Sequence, residues 1–161
     1  MDKQFMVAQL AGRIRDTLQV ALREQDAAAR EARDGATPSE KRDDARTALE
    51  FSNLARAQGK RALAAREDLA RIELFRPGSS GDCVRLGDIV EIEDGEVGRT
   101  IFLAPVGAGI ELTMPDGDGF VTVVTPASPL GKALIGREVG DVVELSLQHG
   151  KERDWTVTFI G

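Results

Sequence analysis

The sequence predicts an α+β chain: an N-terminal antiparallel two-helix coiled-coil hairpin followed by a small antiparallel β domain with one short helix. Three observations predict it. Residues 1–75 hold 16 Ala, 3 Gly and 1 Pro, a composition that favours helix. Residues 76–161 hold 4 Ala, 14 Gly and 5 Pro, with Val-rich runs between the glycines, which is strand and turn material. The charge changes at the same place, from net +1 before it to net −7 after it. The boundary falls in Arg76-Pro77-Gly78-Ser79-Ser80-Gly81-Asp82, a stretch of linker composition. The expected organisation is therefore a hairpin over residues 1–75, a linker over 76–83 and a β domain over 84–161.

The first helix is expected from residue 2 to about residue 33, where there is no Pro and only Gly12. Val7, Leu10, Ile14, Thr17, Ala21, Ala28 and Ala32 recur at spacings that place them on one helix face. A second stripe, Ala45, Ala48, Ser52, Ala55, Gly59, Ala62 and Leu69, runs through residues 39–74. Helices of this size reach ~45 to 50 Å at 1.5 Å per residue. The short break between them predicts antiparallel neighbours. Small seam residues bury little apolar area, so the base of the hairpin should hold more tightly than its tip. Gly59 in mid-helix costs about 1 kcal/mol relative to Ala, and close approach of the helices is the expected return.

The break is Asp34-Gly35-Ala36-Thr37-Pro38-Ser39-Glu40. Gly35 suits a helix end. Thr37 as N-cap, Pro38 at the first helical position and Glu40 reaching back form a capping box. Lys41, Arg42, Asp43 and Asp44 follow, so Glu40, Asp43 and Asp44 gather carboxylates at the tip. Acids in a first helical turn also serve the helix dipole, and Glu40 has its capping duty ready-made.

In the second half, strands are expected over 84–93 (with a bend or bulge at Gly87-Asp88), 99–103, 109–114, 119–125, 142–147 and 154–160. Gly87-Asp88-Ile89-Val90-Glu91 and Gly140-Asp141-Val142-Val143-Glu144 are near copies, read as shared turn chemistry and not as a domain repeat. A short helix over 129–135 is opened by Pro129 and closed by Gly136, with Leu130, Leu134 and Ile135 expected to pack on the sheet.

Several function classes are disfavoured. One Cys and one His make ordinary zinc ligation implausible, and Cys83 has no partner for a disulfide. No apolar run reaches the ~18 to 20 residues that span a bilayer. The opening residues lack a secretory pattern, so a cytoplasmic protein without a membrane is expected. His149 stands in a Gln-His-Gly turn with no nucleophile or acid arranged beside it in sequence. The chain has no Tyr, and its one Trp, Trp155, is expected in a core, which leaves no aromatic cup for prolyl isomerisation. The hairpin's Arg13, Arg23, Arg30, Lys41, Arg42 and Arg46 are nearly balanced by acids and read as a solvated face rather than a nucleic-acid surface.

The segment Ser128-Pro129-Leu130-Gly131, with Leu134-Ile135-Gly136 and Gly140-Asp141-Val142-Val143 after it, resembles the C-terminal domain of the bacterial Gre transcript-cleavage factors. In the hairpin, Gln58-Gly59-Lys60-Arg61 is similar to a Glu-Gly-Arg-Ile-like stretch of that family. Counting back from Gly59 by the family's spacing places the tip acids on Glu40 and Asp43, with Asp44 and Ala45 following. The order is Glu-x-x-Asp where the family has Asp-x-x-Glu. The family's Tyr after the tip falls on Thr47, and the tip loop is about one turn longer.

The resemblance implies an FKBP-like β domain and a factor that is not itself an enzyme but modulates the active site of bacterial RNA polymerase. It implies a hairpin that enters the secondary channel, with Glu40, Asp43 and Asp44 assisting in trans the cleavage of backtracked RNA. It further implies that Ser128, Pro129 and Leu130 contact the polymerase. The factor is then expected to be a monomer with no cofactor of its own. Mg²⁺ is held by the polymerase and shared through Glu40 and Asp43, and the nascent RNA 3′ end is met only indirectly. Related factors in the family occupy the same channel and inhibit, so an inhibitory regulator is the alternative, and a structural coiled-coil adaptor the third reading.

Overall fold

The structure, a computed structural model, describes residues 2–34, 43–147 and 151–161. The two apolar stripes fold as α1 (Lys3–Asp34) and α2 (Asp43–Leu74). The strands are β1 (Ile89–Glu93), β2 (Gly98–Leu103), β3 (Glu111–Thr113), β4 (Phe120–Val124), β5 (Val142–Leu147) and β6 (Lys151–Ile160), with helix α3 (Pro129–Leu134) between β4 and β5. The chain divides into two compact units: Met1–Ala11 together with Arg71–Gly161, and Gly12–Ala70.

In the unit Gly12–Ala70 the helices are paired in opposite directions. Gln25 of α1 faces Gly59 of α2, and Glu24 and Glu31 of α1 line one groove with Phe51 and Gln58 of α2. Ile14, Ala21, Ala28, Ala62 and Ala65 are buried in this seam. Ala48, Ser52 and Ala55 are half-buried and Ala45 is exposed, so the tip-ward seam holds less buried area, as the residue sizes dictate. Gly59 makes room for a side chain. A Cβ there would stand 2.9 Å from the Gln25 Nε2 atom, so the small residue admits the Gln25 amide of the facing helix and not its backbone.

The other unit is a six-stranded sheet ordered β3-β4-β2-β1-β6-β5. Its core holds Val84, Val90, Ile92, Ile101, Leu103, Val124, Leu134, Val143, Trp155 and Val157. Trp155 is buried there as expected, with the Arg99 guanidinium 5.3 Å from its ring centre. Four of the strand pairs are antiparallel, whereas β2 and β4 are parallel. The connection from β2 through Pro105, Gly107 and Gly109 skips one strand position, and the β3–β4 hairpin then folds back into the gap. The first turns of α1 pack into this same unit, with Met6, Leu10 and Ile72 fully buried. Gln9 closes the sheet edge: its Oε1 accepts from Thr113 N at 2.6 Å and its Nε2 donates to Thr113 O at 3.3 Å. A side-chain amide thus stands where the peptide of a neighbouring strand would, which protects an edge.

The two Gly-Asp copies build the same device. Asp88 accepts from Arg85 N at 2.8 Å, and Asp141 accepts from Glu138 N at 3.0 Å. In each, the Asp N–H donates back to the residue three before it, and the Gly, at φ +100° and +96°, points its N–H to an adjacent strand. Each turn launches a strand. Residues 84–88 are therefore not part of a strand, and β1 begins at Ile89; the ladder is interrupted because the Asp88 carboxylate takes up the backbone donor. The copies differ in one respect. Asp88 is only 2% exposed and pairs with Lys3 Nζ at 2.7 Å, a cation that also donates to Gly78 O.

The β1–β2 hairpin turns on Asp94, whose Oδ1 accepts from Glu96 N and Val97 N, while Arg153 of β6 grips Oδ2. The Arg153 hydrogen bond, followed by the two backbone donors, holds the Asp94 carboxyl down at about 2. The folded state therefore binds fewer protons than the unfolded one, in which an Asp titrates near ~3.9. This stabilisation is complete above pH ~4 and disappears as the pH falls toward ~2. Asp94→Asn keeps the turn acceptor but removes the charge. It should flatten the fall of the melting temperature over that window, which a series of thermal melts will read.

Candidate functional site

Of the sequence-predicted tip acids, Glu40 lies outside the described residues, as does the capping box of Thr37, Pro38 and Glu40. Asp43 and Asp44 open α2, and their side chains also fall outside the description. His149 is likewise outside it. Among the described residues, no group of three or more His, Cys, Asp or Glu is placed to hold a metal ion. No helix among them is long and apolar enough to cross a membrane.

The second predicted site, Ser128-Pro129-Leu130, is fully described. Ser128 is the N-cap of α3 in an extended conformation, and its hydroxyl oxygen accepts from Gly131 N at 3.0 Å. The same hydroxyl donates to Thr125 O at 2.8 Å. Pro129 takes the first helical position, where a missing N–H costs nothing. Leu130 turns toward the core and packs on it. The helix start therefore occupies Ser128 and Leu130 with local duties and leaves Pro129 as the exposed member.

Gly131 is the residue that fixes this corner. A Cβ built on it would lie 2.1 Å from the carbonyl oxygen of Thr125. The first turn of α3 thus rests directly on the backbone that leaves β4, and no other side chain fits. At the far end, Gly136 adopts φ +82°, the left-handed position expected after a helix. Ile135 was expected in the core but is 41% exposed. It serves as the C-cap with non-helical backbone angles (φ −58°, ψ 130°), which swings it off the inward helix face. Val139 and Val142 follow it at 58% and 52% exposure. The sequence analysis did not mark Val139 as exposed, although a β-branched apolar residue between Gly136 and Gly140 was a usable signal.

A mixed sheet, a Pro-opened helix seated on Thr125 O and a Gly-Asp turn into the edge strand make up this unit. The family model described as "Transcription elongation factor, GreA/GreB, C-term" matches residues 79–161. The chain therefore belongs to the GreA/GreB family of transcription elongation factors. Its relatives include the transcription inhibitor protein Gfh1 of Thermus thermophilus, 34% identical over 97 residues, covering 58% of this chain and 57% of the relative. They also include the transcription elongation factor GreA of Thermotoga neapolitana, 32% identical over 95 residues, covering 59% and 57%. The chain thus matches less than two thirds of the length of these relatives. Among solved structures, the transcription factor Gfh1 aligns over 94% of this chain and 93% of its own, with 24% identity and a TM-score of 0.41.

Proposed function

We propose that this chain is an RNA polymerase-binding regulator of transcription elongation whose hairpin enters the secondary channel of the bacterial enzyme. Family membership over residues 79–161, joined in one chain to two helices of 32 residues, is the observation that carries this reading. At 1.5 Å per residue such a helix is about 48 Å long, a reach that suits a deep pore. The β half, at net −7, suits a basic rim on the polymerase, with Pro129 and the exposed apolar residues after α3 facing it.

In this reading the tip acids act on the partner's active site. Carboxylates of Glu40 and Asp43, with Asp44 beside them, would offer hard oxygen ligands to a second, weakly held Mg²⁺ and orient an attacking water. The chain then needs no cofactor of its own and catalyses nothing alone. Thr47 in the place of the family's Tyr, and the Glu-x-x-Asp order, favour the inhibitory alternative as a second reading.

One assay separates the two. Arrested elongation complexes carrying backtracked RNA are incubated with Mg²⁺ and the protein. A cleavage factor releases short 3′ fragments faster, and Glu40→Ala/Asp43→Ala/Asp44→Ala abolishes the release while binding is kept. An inhibitor gives no fragments and slows extension instead. No effect on either would refute both.

A further inference from the structure

Within the hairpin unit, α1 and α2 leave an open groove of about 410 Å³ lined by Glu24, Ala27, Ala28, Glu31, Phe51, Leu54 and Gln58. Its floor is small and apolar: Ala28 is buried, and Ala27 offers a bare methyl. One wall is the half-buried Phe51 with Leu54, which is 46% exposed. The other carries Glu24 and Glu31, two helical turns apart on one face of α1. Among the described residues neither carboxylate has an ion-pair partner; the nearby Arg30 is bound to Asp26 instead. At one end the partly buried Gln58 closes the groove, with its Oε1 enclosed beneath the surface.

These features ask for one kind of occupant. Phe51, Leu54 and the alanines call for an apolar side chain. Glu24 and Glu31 are exposed, anionic and without an ion-pair partner among the described residues. We propose that this groove docks a basic segment of the polymerase, one presenting an apolar side chain between Lys or Arg residues that meet Glu24 and Glu31. The proposal rests on the reading of polymerase as partner and adds a second contact, within the hairpin unit.

The test measures binding of the dye-labelled full chain to bacterial core polymerase, at low and at high salt. Glu24→Lys/Glu31→Lys should weaken binding roughly tenfold at low salt, and less at high salt, because the exposed pairs are screened. Leu54→Ala should weaken it by a similar factor at both. Leu63→Ala removes a leucine of similar exposure outside the groove and should change nothing. Both groove positions are exposed, and circular dichroism checks that the helices persist. A benzophenone amino acid at position 54 should crosslink to a Lys- or Arg-bearing polymerase segment. Groove variants that bind like the parent, or a crosslink only to a second copy of this chain, would overturn the proposal and leave polymerase binding intact. Absence of saturable binding by the parent chain would instead remove the reading beneath it.

Discussion

Gly131→Ala should lower the stability of the β unit by about 3 kcal/mol, the upper range for overpacking a rigid site. The added methyl would lie 2.1 Å from the Thr125 oxygen, and the obstacle is backbone rather than the end of a flexible side chain. Relief requires the first turn of α3 to lift off β4, which breaks the Ser128 bonds to Thr125 O and Gly131 N and unseats Leu130 and Leu134 from the core. Trp155, the single Trp, lies in that core, so its fluorescence during urea unfolding reports this unit specifically. Ser128→Ala, which removes only the cap, should cost about 1 kcal/mol. Equal midpoints for Gly131→Ala and the parent would show that the corner is looser than its geometry requires. The glycine of the Ser-Pro-Leu-Gly segment is thus a packing residue, and loss of partner binding in this variant would follow from loss of the fold.

Lys3→Met should cost about 3 to 5 kcal/mol, because it strands a buried carboxylate. Asp88 is almost wholly enclosed, and among the described residues Lys3 supplies its one cationic partner, at 2.7 Å. After the substitution the Arg85 N–H is the one remaining partner of its side chain among the described residues. The second Gly-Asp turn provides an internal control. Asp141 makes the same backbone bond to Glu138 N but is half-exposed, so Asp141→Ala should cost only about the 1 kcal/mol of a lost local hydrogen bond. Denaturant midpoints for the two variants should therefore differ widely despite near-identical local sequence. Comparable losses would mean that the ion pair with Lys3 contributes nothing beyond the turn.

These two sites mark the limits of the sequence. The Ala stripes, the Pro129 start, Gly136 and the paired Gly-Asp turns were legible because each depends on a few neighbouring residues. Lys3–Asp88 and Gln9–Thr113 join residues 85 and 104 positions apart, and nothing local marks those polar side chains as partners. The parallel β2–β4 pair was also hidden. Alternation tells which face a strand buries, not which strand lies beside it, so an all-antiparallel domain was expected. The strand expected over 84–93 lost its first residues because the Asp88 side chain competes for a ladder donor, and β6 begins earlier than expected, at Lys151. At the Ser128–Leu130 site, composition located the helix start but could not tell which of the three side chains faces outward.

Equilibrium binding of the full chain to bacterial core RNA polymerase tests the central claim most directly. Saturable one-to-one association is predicted. Pro129→Lys and Val139→Lys, at exposed positions proposed to face a basic rim, should each weaken it roughly tenfold or more while Trp155 fluorescence stays native. The triple tip variant should bind like the parent. No saturable association, or association indifferent to both lysine substitutions, would contradict the account.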